Sequence, residues 1–132
     1  MSLRGRAVCV VLGVALAVPG FTACNDLNTS ADCGRSALRI TGDVQDVVAA
    51  VTNVGNLVDS ERRKQTSQSF HKLQRDVKDM ARNSHNVDQR KAADDVAKAA
   101  RGVKAAADSG GSPDVKPLGD AAAELSRVCT SS

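Results

Sequence analysis

The sequence predicts an all-α protein, a small antiparallel four-helix bundle in up-down-up-down order, on three observations. Cys33, Ala37, Ile40, Val44, Val47, Val51, Val54 and Val58 recur at alternating steps of four and three, the spacing that lines one face of an α-helix. Val115, Leu118, Ala122, Leu125 and Cys129 repeat that spacing near the end of the chain, so one apolar seam begins with a cysteine and another ends with one. Polar or glycine-rich clusters punctuate the stretch between them, and no long run alternates with the period of two that a strand requires. At 132 residues the chain is expected to hold one domain plus an additional segment.

That segment comes first. Arg4 and Arg6 precede an apolar run from Ala7 to Val18, then Pro19, Gly20 and the small residues Thr22 and Ala23, which is the layout of a secretory signal peptide over 1–23. The run is shorter than the roughly 20 residues a spanning helix needs, and Pro19-Gly20 interrupts its end, so a retained membrane anchor is the lesser reading. Phe21-Thr22-Ala23-Cys24 resembles the lipobox of bacterial lipoproteins, with Phe21 where an aliphatic residue is usual. The resemblance implies acylation of Cys24 as the mature N-terminus and a place at the outer face of the cytoplasmic membrane. Residue usage rich in Ala, Val, Arg and Gly is similar to that of secreted actinobacterial proteins. Cysteine parity points the same way: with Cys9 removed, Cys24, Cys33 and Cys129 remain, and lipidation of Cys24 leaves one pair. The alternative is cleavage after Ala23 and a soluble secreted protein with Cys24 free or bonded to another chain.

The polar stretch within 24–32 reads as a lipidated N-terminus and tether, with Thr29 or Ser30 capping a first helix and the bundle domain occupying 33–132. The first helix, Cys33 to Val58, is rich in valine and contains Gly34, Gly42 and Gly55, so propensity argues against it and period for it; period is the stronger signal. From Asp59 to Ser69 no residue is apolar, and the pattern resumes at Phe70, Leu73, Val77 and Met80, which places a second helix over about Ser60 to Asn83. Nothing between Leu57 and Arg62 is a strong breaker, so a single rod through residue 60 competes with a turn there. A rod of roughly 50 residues would reach ~75 Å at 1.5 Å per residue, too far for the remaining chain to return Cys129 to Cys33. The turn and the bridge therefore stand or fall together.

Asn83-Ser84-His85-Asn86 is a polar turn, and a third helix over about Val87 to Asp108 places Ala93, Val96, Ala100, Val103 and Ala107 on one face beside Ala92, Ala99 and Ala106. Ser109-Gly110-Gly111-Ser112-Pro113 is the clearest loop, and the last helix starts between Asp114 and Pro117, because proline fits a first turn and not a later one. So many alanines bury little area each, which gives a bridge a physical purpose: closing so long a loop is worth about 4 to 5 kcal/mol in the chain-entropy relation. Cys33 with Cys129 is the pair that helix phase favours; Cys24 with either of them remains open and leaves a seam cysteine unpaired.

Function is less legible. Lys plus Arg number 18 against 15 Asp plus Glu, and without Arg4 and Arg6 the balance is 16 against 15, so no global charge draws the domain to nucleic acid. Trp and Tyr are absent, and Phe70 is the only aromatic after residue 23, which weakens any reading based on base stacking, sugar stacking or an aromatic cofactor pocket. No metal, nucleophile or phosphate motif is present, and no cofactor is expected. His71 and His85, with Met80 between them, form a haem or metal alternative, against the plainer reading of two solvated histidines. Arg62, Arg63, Lys64, Lys72, Arg75, Lys78 and Arg82 form a basic stretch suited to an anionic lipid or wall polymer, or to the ordinary solvated side of a helix, with Lys72–Asp76 and Arg75–Asp79 at pairing distance along it. The expectation is a non-catalytic envelope module, tethered to the membrane by lipid and meeting an envelope protein or anionic polymer. A secreted carrier of haem or lipid is the alternative.

Overall fold

The computed structural model describes residues 22–52 and 59–131, and in them the chain forms α1 (Thr22–Thr52), α2 (Asp59–Asn83), α3 (Val87–Asp108) and α4 (Lys116–Thr130), with no strand among the described residues. Each helix packs on the one before it, and α4 packs back on α1, so consecutive helices occupy neighbouring corners of a square. An even number of antiparallel helices brings the first and last together. The Cys33–Cys129 disulfide joins them, with an S–S distance of 2.04 Å and Cα atoms 5.3 Å apart. The alternative pairings of Cys24 with either seam cysteine are thereby excluded.

The single-rod alternative fails on packing. Asp43 of α1 touches Lys72 of α2, whereas one continuous helix would hold those positions about 43 Å apart. The chain reverses between Thr52 and Asp59, as required; Val54, Leu57 and Val58 of the expected seam lie outside the described residues.

The start of α1 departs from expectation. The helix begins at Thr22, so the stretch read as a tether is helical and Thr29 and Ser30 are not its cap. Nothing between Thr22 and Asp32 is a proline or glycine, and once the packed part of α1 has nucleated a helix, each further residue adds a hydrogen bond at little cost. Ala31 and Asp32 are exposed and Cys33 is buried. Cys24 stands about 13 Å along the helix from Cys33, at the 1.5 Å rise of a helix. The extension is a rod rather than a flexible linker.

The core follows the predicted seams. Ile40 and Val47 from α1, Phe70 and Leu73 from α2, Val96 from α3, and Leu118 and Leu125 from α4 are at most 1% exposed. Alanines fill the remaining layers, Ala92, Ala93 and Ala100 among them, and let α3 approach its neighbours closely. Two polar residues enter this interior: Gln89, whose Oε1 accepts a 2.7 Å hydrogen bond from Ser84 Oγ, and Asp43. The α2–α3 turn is held by Asn86, whose Oδ1 accepts from the backbone N–H of Asp88 (2.8 Å) and Gln89 (3.2 Å) as an N-cap. After α3 the chain turns through Gly110, at φ 77°, a left-handed conformation that glycine adopts without the cost of a Cβ.

Candidate functional site

The basic stretch of α2 is divided by the fold into three environments. Lys64, Arg75, Lys78 and Arg82 are exposed, and together with exposed His71 they fall at steps of seven, four, three and four, a stripe along the side of α2 opposite its buried Phe70, Leu73, Val77 and Met80. The stripe runs most of the length of the helix. Arg75 Nε lies 3.9 Å from Asp76 at the edge of that face, rather than pairing with Asp79 as the spacing implied.

Lys72 leaves the stripe altogether. Its Nζ is 2.6 Å from Asp43 Oδ1 and 3.8 Å from Asp46 Oδ2, so it bridges to α1 instead of pairing along α2 with Asp76. Asp43 is 1% exposed, and its Oδ2 has no hydrogen-bond partner among the described residues. Burial pushes its carboxyl above the ordinary value of 3.8; Lys72 opposes that rise and the neighbouring Asp76 adds to it. Two carboxyl groups hydrogen-bond only when one of them is protonated, which is why Asp76 favours the acid form of Asp43. Lys72 moves in the complementary direction: its hydrogen bond to Asp43 raises it above 10.5. Asp43 was invisible to sequence reading as a site. It sits three residues after Ile40 and beside Val44, within the seam, and that placement of a carboxylate between apolar positions was the available signal.

Arg62 and Arg63 form the third group. They lie at the end of the bundle away from the disulfide and border a cleft of about 760 Å³ where Thr52, the first turns of α2 and the α3–α4 loop meet. Lys104 of α3 borders it too, held 2.5 Å from Asp108. Phe70, Ala50, Val51, Ala107 and Pro113 supply the apolar part of the wall. Small residues create the space: alanine at positions 50 and 107 and glycine at 110 and 111 leave unfilled the volume that larger side chains would occupy.

Two further recesses differ in chemistry. One, of about 430 Å³ between α3 and α4, is bordered by Lys91, Asp95, Glu124 and Arg127, which pair among themselves as Lys91–Asp95 at 2.9 Å and Arg127 Nε–Glu124 at 2.7 Å. These pairs are solvated and contribute little net field. The other, about 450 Å³ between α1 and α4, is lined by uncharged residues such as Val44, Val48, Gly119 and Ala122.

The haem or metal alternative is not assembled. His71 is exposed on the outer side of α2, Met80 is 5% exposed on its buried side, and His85 is exposed in the turn that follows. A helix side chain on one face does not reach a ligand bound on the other. Among the described residues, no group of three or more His, Cys, Asp and Glu side chains is arranged to hold a metal ion. No helix among them is long and apolar enough to cross a membrane. Cys24 lies in the first turn of α1; Arg4, Arg6 and Phe21 of the leader-like segment lie outside the described residues. No protein family, curated protein or solved structure matches this chain.

Proposed function

We propose that this chain is a non-catalytic envelope lipoprotein, exported, acylated at Cys24 and held at the outer face of the cytoplasmic membrane, where the exposed side of α2 meets an anionic surface or an envelope protein. The observation that carries the reading is the Cys33–Cys129 bridge. Disulfides of this structural kind persist where the compartment is oxidising, outside the cytoplasm. The arginine-led apolar leader and the lipobox-like Phe21-Thr22-Ala23-Cys24 support the same route. With Cys33 and Cys129 bonded to each other, Cys24 is the single cysteine beyond the leader left for a lipid.

The helical stretch from Cys24 to Asp32 sets the domain off from the membrane as a short stiff spacer. On such a spacer the α2 stripe of Lys64, Arg75, Lys78 and Arg82 lies along the flank of the bundle. Each cation that reaches an anionic surface contributes about 1 kcal/mol, so a stripe of four makes a reversible contact that a lipid anchor converts into residence.

The test is the intact mass of the protein recovered from the membrane fraction, with and without reductant. The expected product begins at Cys24, carries acyl chains and gains the mass of two hydrogens on reduction. A product that begins at Cys24 without acyl chains, or retains Met1 to Ala23, refutes the anchoring. A second measurement addresses the stripe: at low salt, protein freed of acyl chains is expected to bind vesicles containing anionic lipid, and Lys64→Glu with Lys78→Glu to abolish it. Equal binding by that variant refutes the α2 contact while leaving the anchor standing.

A further inference from the structure

The folded domain separates charge by flank. On α2, Asp76 and Asp79 fall on the side towards α1, where Lys72 meets Asp43 and Asp46, whereas Lys78 and Arg82 stand on the outer side that borders α3. On α3, Asp88, Lys91 and Asp95 border the recess beside α4. Arg90 and Arg101, roughly a third of a turn away, therefore lie on the side towards α2, with Lys98 at the outer corner between the two sides. Lys78, Arg82, Arg90, Lys98 and Arg101 are all exposed, and none of them forms an ion pair among the described residues. Asp94 is set among them, four residues from both Arg90 and Lys98, and pairs with neither. Arg90 and Arg101 are ~16 Å apart along the helix at its 1.5 Å rise, and the two rows run one interhelix distance, about 8–10 Å, from each other.

We infer that this α2–α3 flank binds a linear phosphodiester polymer lying along the two helices. The inference rests on the anchored reading given above and deepens its anionic contact, by naming the partner and adding α3 to the surface. Charge complementarity selects the chain: successive anions meet cations from two rows, and Arg82, Arg90 and Arg101 offer guanidinium forks to the free oxygens of each phosphate. Geometry sets aside a flat bilayer. α1 and α4 form the layer behind α2 and α3, and Cys24 lies on the same helix as the rest of α1. A bilayer pressed against the α2–α3 flank would leave the acylated end one interhelix distance, about 8–10 Å, too far back to insert. Nucleic acid lacks a stacking face here, because Phe70, the only aromatic after residue 23, is 1% exposed. An acidic protein lacks an apolar anchor, because between Arg90 and Arg101 no large apolar side chain is exposed.

Titration of the purified, disulfide-bonded protein at low salt with a poly(glycerol phosphate) chain tests the flank, with glycerol phosphate as the single unit and single-stranded DNA and vesicles containing anionic lipid as the competing partners. Saturable binding of the chain is expected, with chemical-shift changes at Arg90 and Arg101. For about five phosphates neutralised, the affinity is expected to fall roughly 100-fold between about 50 and 200 mM salt. Lys98→Gln with Arg101→Gln, at exposed positions outside the core, is expected to weaken binding about tenfold or more and to leave thermal unfolding unchanged. Lys91→Gln with Lys116→Gln removes equal charge from positions beside and on α4 and is expected to leave binding unchanged. Equal weakening by the two pairs shows a response to net charge alone and overturns the flank. Glycerol phosphate binding as tightly as the chain overturns the polymer, and tighter binding of single-stranded DNA overturns a partner without bases. Vesicle binding weakened by Lys98→Gln with Arg101→Gln as much as chain binding assigns the flank to a bilayer and overturns the inference, as does absence of chain binding. Chain binding lost with Lys64→Glu and Lys78→Glu but indifferent to the α3 pair leaves the α2 contact standing while this inference falls.

Discussion

Replacing both Cys33 and Cys129 by alanine tests the central structural claim, that a thin alanine-rich core relies on a cross-link between its first and last helices. The two cysteines are 96 residues apart in sequence, and the chain-entropy relation assigns closure of a loop of that length about 4.7 kcal/mol at 25 °C. The net stability of a domain is about 5 to 15 kcal/mol, so the bridge accounts for about three-tenths of it or more. With an unfolding entropy near 2.1 cal/mol/K per residue over about 110 residues, the loss lowers Tm by about 20 °C. Alanine is chosen over serine because both positions are buried, Cys33 at 5% and Cys129 at 2% exposure, and a hydroxyl there would add an unpaired polar group. The assay is thermal unfolding followed by far-ultraviolet circular dichroism, on the double variant and on the wild type with reductant. Those two samples are expected to melt close together and well below the oxidised protein. A double variant melting within about 5 °C of the oxidised wild type would show that packing alone holds α4 against α1.

The remaining predictions concern single positions. Asp43→Asn removes a gain in stability on the acid side of the profile. In the wild type, burial holds the Asp43 carboxyl above its ordinary 3.8, so the folded chain takes up that proton at a pH where the unfolded chain does not. This group therefore adds stability as pH falls through its folded pKa, and the gain is complete below 3.8. Denaturant midpoints between pH 7 and pH 3 for both proteins check it, and an unchanged profile removes Asp43 from the account. Lys72 acts at the opposite end: its raised pKa contributes stability that is present below 10.5 and lost as pH rises through the folded value. Phe70→Ala is expected to cost about 3 to 5 kcal/mol, read from denaturant unfolding, because that ring is 1% exposed at the floor of the cleft. Asn86→Ala removes the acceptor of two backbone N–H groups at the start of α3 and is expected to cost about 1 kcal/mol by the same measurement. Gly110→Ala meets the left-handed φ of 77° and costs a comparable ~1 kcal/mol.

Helix phase was legible because it is a local property. Ala37, Ile40, Val44 and Val47 on α1, and Leu118, Ala122, Leu125 and Cys129 on α4, are buried where their spacing places them, since a 3.6-residue period leaves one face for the interior whatever that face later touches. The turn before Asp59 was inferred from reach rather than from any breaker, and it follows the geometry of the bridge. What spacing did not reveal is instructive. Lys72 and Asp76 sit at pairing distance along α2, yet Lys72 reaches across to Asp43, because a carboxylate held out of water attracts a cation more strongly than an exposed neighbour does. The polar–apolar boundary predicts a start for α1 near Cys33, whereas the helix begins at Thr22.

By itself the sequence determined the apolar faces of the helices and favoured four helices closed by Cys33 and Cys129, because period, turn chemistry and chain length are all read along one dimension. The arginine-led apolar run and the lipobox-like Phe21-Thr22-Ala23-Cys24, on which the proposed export and lipidation rest, are linear features too. Tertiary structure alone decided how one run of basic residues divides. Lys64, Arg75, Lys78 and Arg82 remain on the outer side of α2, Lys72 turns inward to Asp43, and Arg62 and Arg63 join Lys104 at the rim of a cleft. Which cation meets solvent, a buried carboxylate or a cleft depends on what the neighbouring helices place opposite it, and that is a relation between residues far apart in the chain.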